Sequence, residues 1–329
     1  MTLKRIWVLA ESFDNTPIGT TNELLTCARS LAEVVEAVTW NADIASLAPL
    51  LGAYGAKKVY NLGDLGSSMP GVVVSQALHQ LIQSGNVPDA IFVPSTYDGR
   101  DIAGRLSVRI DRPVLTNIVG LFYSADSLIT QHTIFGGTKI LTARFTGELP
   151  GIYVIRAKSF AAEPVQTGSE QEVSQQEVET VEVGELGPTN LAHIESRHVE
   201  QRSGPKLEEA PVVVAGGRGL GDAESYGMIE ELAKLLNGAP GASRAIVDQG
   251  WVPYSYQVGQ TGKTVKPVVY IACGISGATQ HMVGMKGAKN IIAINKDAEA
   301  AIFSIADLGI VGDVKKVLPK LIEAIKSAR

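Results

Sequence analysis

Between residue 4 and about residue 110, short apolar runs alternate with amphipathic stretches. Ile6-Trp7-Val8-Leu9-Ala10 reads as a buried strand. Residues 21–35 follow at helical spacing and put Leu24, Leu25, Ala28, Leu31 and Val35 on one face. Strands recur at Val35–Trp40, Lys57–Leu62 and Ala90–Pro94, with helical patterns in the gaps. This alternation predicts a parallel sheet with helices on both sides.

The pattern changes after Arg112. Val114–Phe122, Ser127–Phe135, Lys139–Phe145 and Ile152–Arg156 read as consecutive strands joined by short turns such as Gly136-Gly137, either extending the sheet or forming a meander beside it. Residues 166–183 are rich in Glu, Gln, Ser and Val. Val181 and Val183 alternate there with Glu and Thr, which predicts an exposed strand. Residues 192–210 are polar and aperiodic, as an interdomain linker is. The alternation then restarts: a strand at Pro211–Ala215, a helix at Ala223–Leu236, strands at Val268–Ala272 and Asn290–Ile294, and a final amphipathic helix at Asp313–Lys326. The expected architecture is α/β in two domains, 1–195 and 206–329. Each is a mainly parallel sheet flanked by helices, and the linker leaves the second domain free to swing as a unit.

Composition narrows the function classes. A chain of 329 residues, 45% hydrophobic, is long enough for two cores. Its 34 glycines and 6% aromatics suit tight strand-to-helix turns and close backbone approach to a ligand. The net charge of −5, with scattered Lys and Arg, argues against a nucleic-acid footprint. The two cysteines, Cys27 and Cys273, are far apart and imply no disulfide framework, so a reducing, cytoplasmic setting is expected. No apolar run approaches the ~20 residues of a membrane span, and the N-terminus lacks signal-peptide anatomy.

Three glycine-rich strand ends fall in the second domain. Ala215-Gly216-Gly217-Arg218-Gly219-Leu220-Gly221 is either a phosphate-cradling turn or a strand–helix connection that simply needs Gly. Asp222 stands where the dinucleotide fingerprint has its third small residue, so that motif is not met. Arg218 supplies a fixed cation. Val258-Gly259-Gln260-Thr261-Gly262-Lys263-Thr264 contains Gly-Lys-Thr, but Gln257 occupies the first glycine position of a nucleoside-triphosphate loop, and no apolar strand precedes it. In Tyr270–His281 a buried strand ends in Gly274, and a helix is expected near Ser276. The turn offers amides and a hydroxyl to phosphate, with His281 about one turn further on. Cys273 reads as a small core residue. No metal-ligand cluster and no nucleophile–base pair accompanies these turns, so a large nucleotide cofactor fits better than a hydrolytic site.

Five ordered segments carry a resemblance. Ser243–Asp248, Val258–Lys263, Gly274–His281, Ile292–Asp297 and Gly309–Asp313 together resemble the C-terminal domain of electron-transferring flavoprotein alpha subunits. Pro94-Ser95-Thr96 with Gly99-Arg100-Asp101 is similar to the family's N-terminal half, so the resemblance spans nearly the whole chain. It implies a heterodimer with a smaller beta subunit and FAD held mainly by the C-terminal domain. By position it assigns FAD contacts to Arg218, Ser243, Arg244, Val258, Gly259, Gln260, Thr261, Ser276, Gly277, Ala278, Thr279, Gln280, His281, Asn295, Asp313 and Val314. Within these, Thr261 is expected at flavin N5, His281 at the O2 edge, Arg244 by the ring, Ser276 at phosphate, and Asn295 and Asp313 at the adenosine end. Dehydrogenases, such as acyl-CoA dehydrogenases, would donate electrons, and a quinone oxidoreductase or similar acceptor would take them. Thr279 and Tyr254-Ser255-Tyr256 depart from the commoner residues without removing a polar contact. The N-terminal domain, though nucleotide-hydrolase-like, is not the family's FAD site. Asp98–Asp101 reads there as a helix cap and packing element, with a ligand site as the alternative. The competing reading for the whole chain is a flavin- or nicotinamide-dependent dehydrogenase, for which His281 is the best acid–base candidate.

Overall fold

The computed structural model describes residues 2–124, 126–165, 176–186, 191–196, 205–208 and 210–327. The chain divides into two compact units, Met1–His198 and Val199–Arg329.

In the first unit β1 (Leu3–Leu9) leads to a small hairpin, β2 (Ser12–Phe13) and β3 (Thr16–Pro17). Then come α1 (Gly19–Leu31), β4 (Ala32–Thr39), α2 (Ile44–Ala53), β5 (Lys58–Asn61), α3 (Pro70–Gln83), β6 (Ala90–Pro94) and α4 (Tyr97–Ile110). Five strands follow: β7 (Val114–Ser124), β8 (Ser127–Ile134), β9 (Lys139–Ala143), β10 (Gly151–Ile155) and β11 (Glu177–Thr180). The sheet order is β11-β5-β4-β1-β6-β10-β7-β8-β9. Only β7–β8 and β8–β9 pair antiparallel within it, so they form a meander that extends one edge. β10 leaves the meander and inserts between β6 and β7, parallel to both. Successive residues of β1 serve opposite cores, Ile6 and Val8 on one face, Trp7 and Leu9 on the other, as a sheet covered on both sides requires.

Two expectations are corrected here. Val35 does not continue the helical face: α1 stops at Leu31, and Ala32 is already extended (φ −136°, ψ 156°). The next residues pair with β1 from Leu3↔Ala32 onward, so sheet pairing overrides the helical spacing. The exposed strand falls at Glu177–Thr180, where Glu177 and Glu179 pair with Lys58 at 2.6 and 2.7 Å. Val181 lies just beyond it and is buried with Trp7 and Tyr60. Residues 166–175 of that segment, and 197–204 and 209 of the expected linker, lie outside the described residues.

The sheet reverses its strand order between β1 and β6, the place where doubly wound folds usually receive ligands. Here Glu11 and Thr96 meet. The Thr96 hydroxyl donates to the Glu11 carboxyl and accepts from Gly99 N at 2.9 Å, capping α4. Burial, opposed by the Thr96 bond and reinforced by Asp98, lifts the Glu11 pKa to about 7. Asp101 binds Arg105 at 2.9 Å and Arg100 donates to Ser95 Oγ at 3.0–3.1 Å. A Cβ on Gly99 would lie 2.1 Å from the Pro94 carbonyl. Thr96 thus supplies the cap, Gly99 the close packing, and Arg100 and Asp101 make local bonds.

The second unit contains β12 (Val212–Gly216), α5 (Gly227–Leu235), β13 (Ala239–Ala242), α6 (Arg244–Val247), β14 (Val269–Cys273), α7 (Thr279–Met282), β15 (Asn290–Asn295), β16 (Leu308–Val311) and α8 (Val314–Ser327). All five strands are parallel, in the order β13-β12-β14-β15-β16. Val213, Ala215, Tyr270 and Ala272 face one core. Val214, Ile271, Cys273 and Ile294 face the other, under α5 and α8. Three details differ from expectation. The helix of residues 223–236 opens as a 3-10 turn, Glu224–Tyr226, before α5. The helix expected near Ser276 is the four-residue α7, starting at Thr279 because Gly277 (φ +85°) holds the preceding loop out of helix. β13 and β16 are additional strands. Both cysteines are buried and their thiols are pushed up to about 12, so neither is reactive at neutral pH. Among the described residues no helix is long and apolar enough to cross a membrane, and no His, Cys, Asp and Glu cluster is arranged for a metal ion.

Candidate functional site

The second sheet reverses its order at β12, with β13 on one side and β14 on the other. Because all strands run parallel, their C-terminal ends share one edge. Residues spread over almost a hundred positions converge there. Arg218 follows β12, Ser243 and Arg244 follow β13, Ser276–His281 follow β14, Asn295 ends β15, and Asp313 and Val314 follow β16. The Val258–Thr261 loop joins them through two backbone bonds: Val258 N to Ala242 O at 2.9 Å, and Gln260 N to Gln280 O at 2.7 Å.

The loops after β12 and β14 interlock backbone to backbone. Gly217 N donates to Cys273 O at 2.9 Å, and Gly219 N to Gly274 O at 3.0 Å. A Cβ on Gly274, whose φ is +65°, would stand 2.7 Å from Gly219 Cα. Gly274 is required by contact as well as by conformation, and Gly219, whose Cβ would lie 2.6 Å from Gly274 Cα, by contact. Gly277 is equally confined, with its Cβ position 2.2 Å from Ile302 N.

Past this crossing the chain presents unpaired donors. Among the described residues the amides of Ser276, Gly277 and Ala278 have no hydrogen-bond acceptor, and Ser276 and Ala278 are exposed. A run of free N–H groups around a left-handed glycine is an anion-binding concavity. Exposed Arg218 and Arg244 place two cations on the same edge, and Arg244 is partly balanced by Asp248 at 3.1 Å. Thr261 is exposed, and its hydroxyl accepts from Gln257 Nε2 at 3.0 Å, which leaves its proton for an outside acceptor.

His281 is the exception to this exposed rim. It is 6% exposed, its Nε2 is 2.9 Å from Tyr270 Oη, and its Nδ1 has no hydrogen-bond partner. Burial pushes its pKa to about 4, opposed weakly by the Val258 backbone, so the ring is neutral near pH 7. Asn295 and Asp313 are used internally. The Asn295 amide binds Ile275 O at 2.9 Å and Asp297 N at 3.0 Å, and Asp313 accepts from Lys315 N at 3.0 Å at the start of α8. Val314 is buried. Two residues of the site were not among those expected from sequence, Gln257 and Tyr270. Both are buried, Tyr270 within an apolar strand and Gln257 in the loop that precedes Val258, and the signal for them was only their proximity to Thr261 and His281.

Free amides, cations and a buried orphan nitrogen on one strand-end edge define a doubly wound unit built to receive a large phosphate-bearing cofactor. Comparison with known proteins makes this specific. Residues 206–286 match the electron transfer flavoprotein FAD-binding domain, and residues 6–186 match the electron transfer flavoprotein domain. The chain is 42% identical to the electron transfer flavoprotein subunit alpha of Mycobacterium tuberculosis (strain ATCC 25618 / H37Rv), covering 99% of this chain and 100% of that one. It is 38% identical to the subunit of the same name from Mycobacterium leprae, over 98% of each chain, and 35% identical to that of Thermoanaerobacterium thermosaccharolyticum, over 99% of each. The chain belongs to the electron transfer flavoprotein family, as an alpha subunit. Its cofactor is FAD, and an alpha subunit implies a beta partner. The FAD-binding match ends at residue 286, so Asn295, Asp313 and Val314 lie beyond it.

Proposed function

We propose that FAD is held across the strand-end edge of the second unit and that the chain works as an electron carrier without an organic substrate of its own. The amides of Ser276, Gly277 and Ala278, with the Ser276 hydroxyl, hold the pyrophosphate. Arg218, Ser243, Arg244, the Val258–Thr261 loop and Thr279–His281 surround the rest. Asn295, Asp313 and Val314 act through the loops they fix. The run of free amides beside the interlocked glycines carries this reading, because an anion completes it and nothing among the described residues does.

When bound, FAD takes up electrons and passes them on. The chain's task is to fix the cofactor and bias its charge. Arg244 and Arg218 are fixed cations and favour added negative charge on the cofactor. Thr261, oriented by Gln257, donates one hydrogen bond. A neutral, buried His281 is poorly placed for proton transfer to an organic substrate, which argues against the dehydrogenase reading. In the same proposal the beta subunit walls the remaining side of the crevice, dehydrogenases such as acyl-CoA dehydrogenases supply electrons, and a quinone oxidoreductase takes them, all in the cytoplasm. The purified heterodimer should show flavin absorption that bleaches with a dehydrogenase and its substrate, without forming an organic product of its own. Full FAD occupancy and electron transfer by the alpha chain alone would defeat the proposed role of the beta subunit.

A further inference from the structure

Tyr270 is fully buried on β14, and its hydroxyl forms one hydrogen bond, to His281 Nε2 at 2.9 Å. A buried hydroxyl proton without an acceptor costs about 1–3 kcal/mol. Water does not reach it, and among the described residues His281 Nε2 is the acceptor on offer. The Tyr270 hydroxyl therefore donates, and Nε2 accepts with its lone pair. A neutral imidazole has one ring proton, so that proton sits on Nδ1. Nδ1 is the buried nitrogen that the chain leaves without a hydrogen bond. The Val258 backbone, part of the proposed FAD-facing loop, acts weakly to raise the ring's basicity against the larger effect of burial.

We infer that Tyr270 is a positioning residue that locks His281 in the Nδ1–H tautomer and so makes it a fixed, uncharged hydrogen-bond donor to FAD. The inference rests on the proposed placement of FAD. Its consequence concerns redox poise. A donor aimed at an electron-rich edge stabilises the reduced cofactor more than the oxidised one, because the bond strengthens as negative charge accumulates on the acceptor. The Tyr270 hydroxyl titrates far above its ordinary range because of burial, so it remains a donor throughout the working pH range. The other tautomer would present a lone pair where a proton is needed, and would repel that charge.

The test uses the FAD-loaded heterodimer with 15N-histidine. The His281 resonances should show a pyrrole-type Nδ1 and a pyridine-type Nε2, unchanged between pH 6 and 9. Tyr270→Phe keeps the ring volume and the core packing. It should move Nε2 toward pyrrole type and shift the FAD one-electron equilibrium toward the oxidised form by three- to tenfold, where tenfold is about 59 mV for one electron. A pyridine-type Nδ1 in the unmodified protein would overturn the inference, as would an unchanged nitrogen pattern in Tyr270→Phe. A changed tautomer with an unchanged potential would overturn the link to the cofactor. In that event His281→Ala locates the fault: if it too leaves the potential unmoved, the placement of FAD beside His281 is wrong, whereas a lowered potential means that the tautomer is immaterial.

Discussion

Adding one methyl group at Gly274 tests the interlocked loops directly. The Gly274→Ala side chain would lie 2.7 Å from Gly219 Cα and 2.9 Å from Gly219 C, both backbone atoms with no rotamer to escape through. Its φ of +65° adds a left-handed penalty of about 1–2 kcal/mol. Overpacking against a fixed backbone adds about 1–3 kcal/mol, giving about 2–5 kcal/mol together. The cheapest relief is to part the two loops, which breaks the Gly219 N to Gly274 O bond and misplaces the Ser276–Ala278 amides. FAD binding must then reverse that separation. The heterodimer's FAD dissociation constant should rise at least tenfold, since about 1.4 kcal/mol suffices for that. Gly104→Ala is the control: it lies in α4, nothing stands within 4 Å of its Cβ position, and helix propensity favours the alanine by up to about 1 kcal/mol. Equilibrium FAD titration and thermal unfolding of both variants decide the matter. FAD affinity within twofold of the parent for Gly274→Ala, with unchanged unfolding, would refute the claim that the crossing organises the site.

Arg244→Ala should lower the first reduction potential of bound FAD while FAD still binds, by about 60 mV if the charge contributes 1.4 kcal/mol. Arg244→Lys should recover part of that shift, and loss of FAD with an unshifted potential in what remains would show that Arg244 only anchors its loop. Glu11 gives a pH test, because its carboxyl titrates near 7 in the folded chain against 4.5 as the ordinary value. Folding thus favours the protonated form, so its stabilising contribution is complete below pH 4.5 and is lost as pH rises through 7, by up to about 3 kcal/mol. Denaturant unfolding from pH 4.5 to 8 should show this slope and Glu11→Gln should flatten it; equal slopes would contradict the assignment. Paired spin labels on the two units of the heterodimer should give different separations with and without a bound dehydrogenase, and one fixed distance in all states would count against the proposed swing.

Much of this site was readable in the residues themselves. Gly216-Gly217, Gly259 and Gly274 mark strand ends and loop crossings because only glycine tolerates those approaches, and apolar runs such as Val212–Ala215 announce buried parallel strands. What stayed hidden depends on long-range pairing. Ala239-Pro240-Gly241-Ala242 has no β-branched residue, yet it pairs with β12 because that edge is open to it. The insertion of β10 between β6 and β7 follows from registers about sixty and forty residues apart, which no local pattern encodes. Val35 looked helical by spacing and strand-like by composition, and sheet pairing decided it. Tyr270 looked like one more core aromatic, since its hydroxyl acquires meaning only when α7 brings His281 across to meet it.

The carboxyl at the β1–β6 reversal has a further consequence for what the first unit admits. Both units present a strand-order reversal, but their contents differ: free amides and arginines in the second, and in the first a buried Glu11 with Asp98 close by and Arg100 bonded to Ser95. A phosphate entering the first crevice would find one leading amide of α4, that of Gly99, already capped by Thr96 and a carboxyl in residence. Above pH 7 that carboxyl is charged and repels the newcomer. On the proposed placement of FAD, the same scaffold is thus used twice in one chain, once open to an anion and once occupied by a side chain of its own.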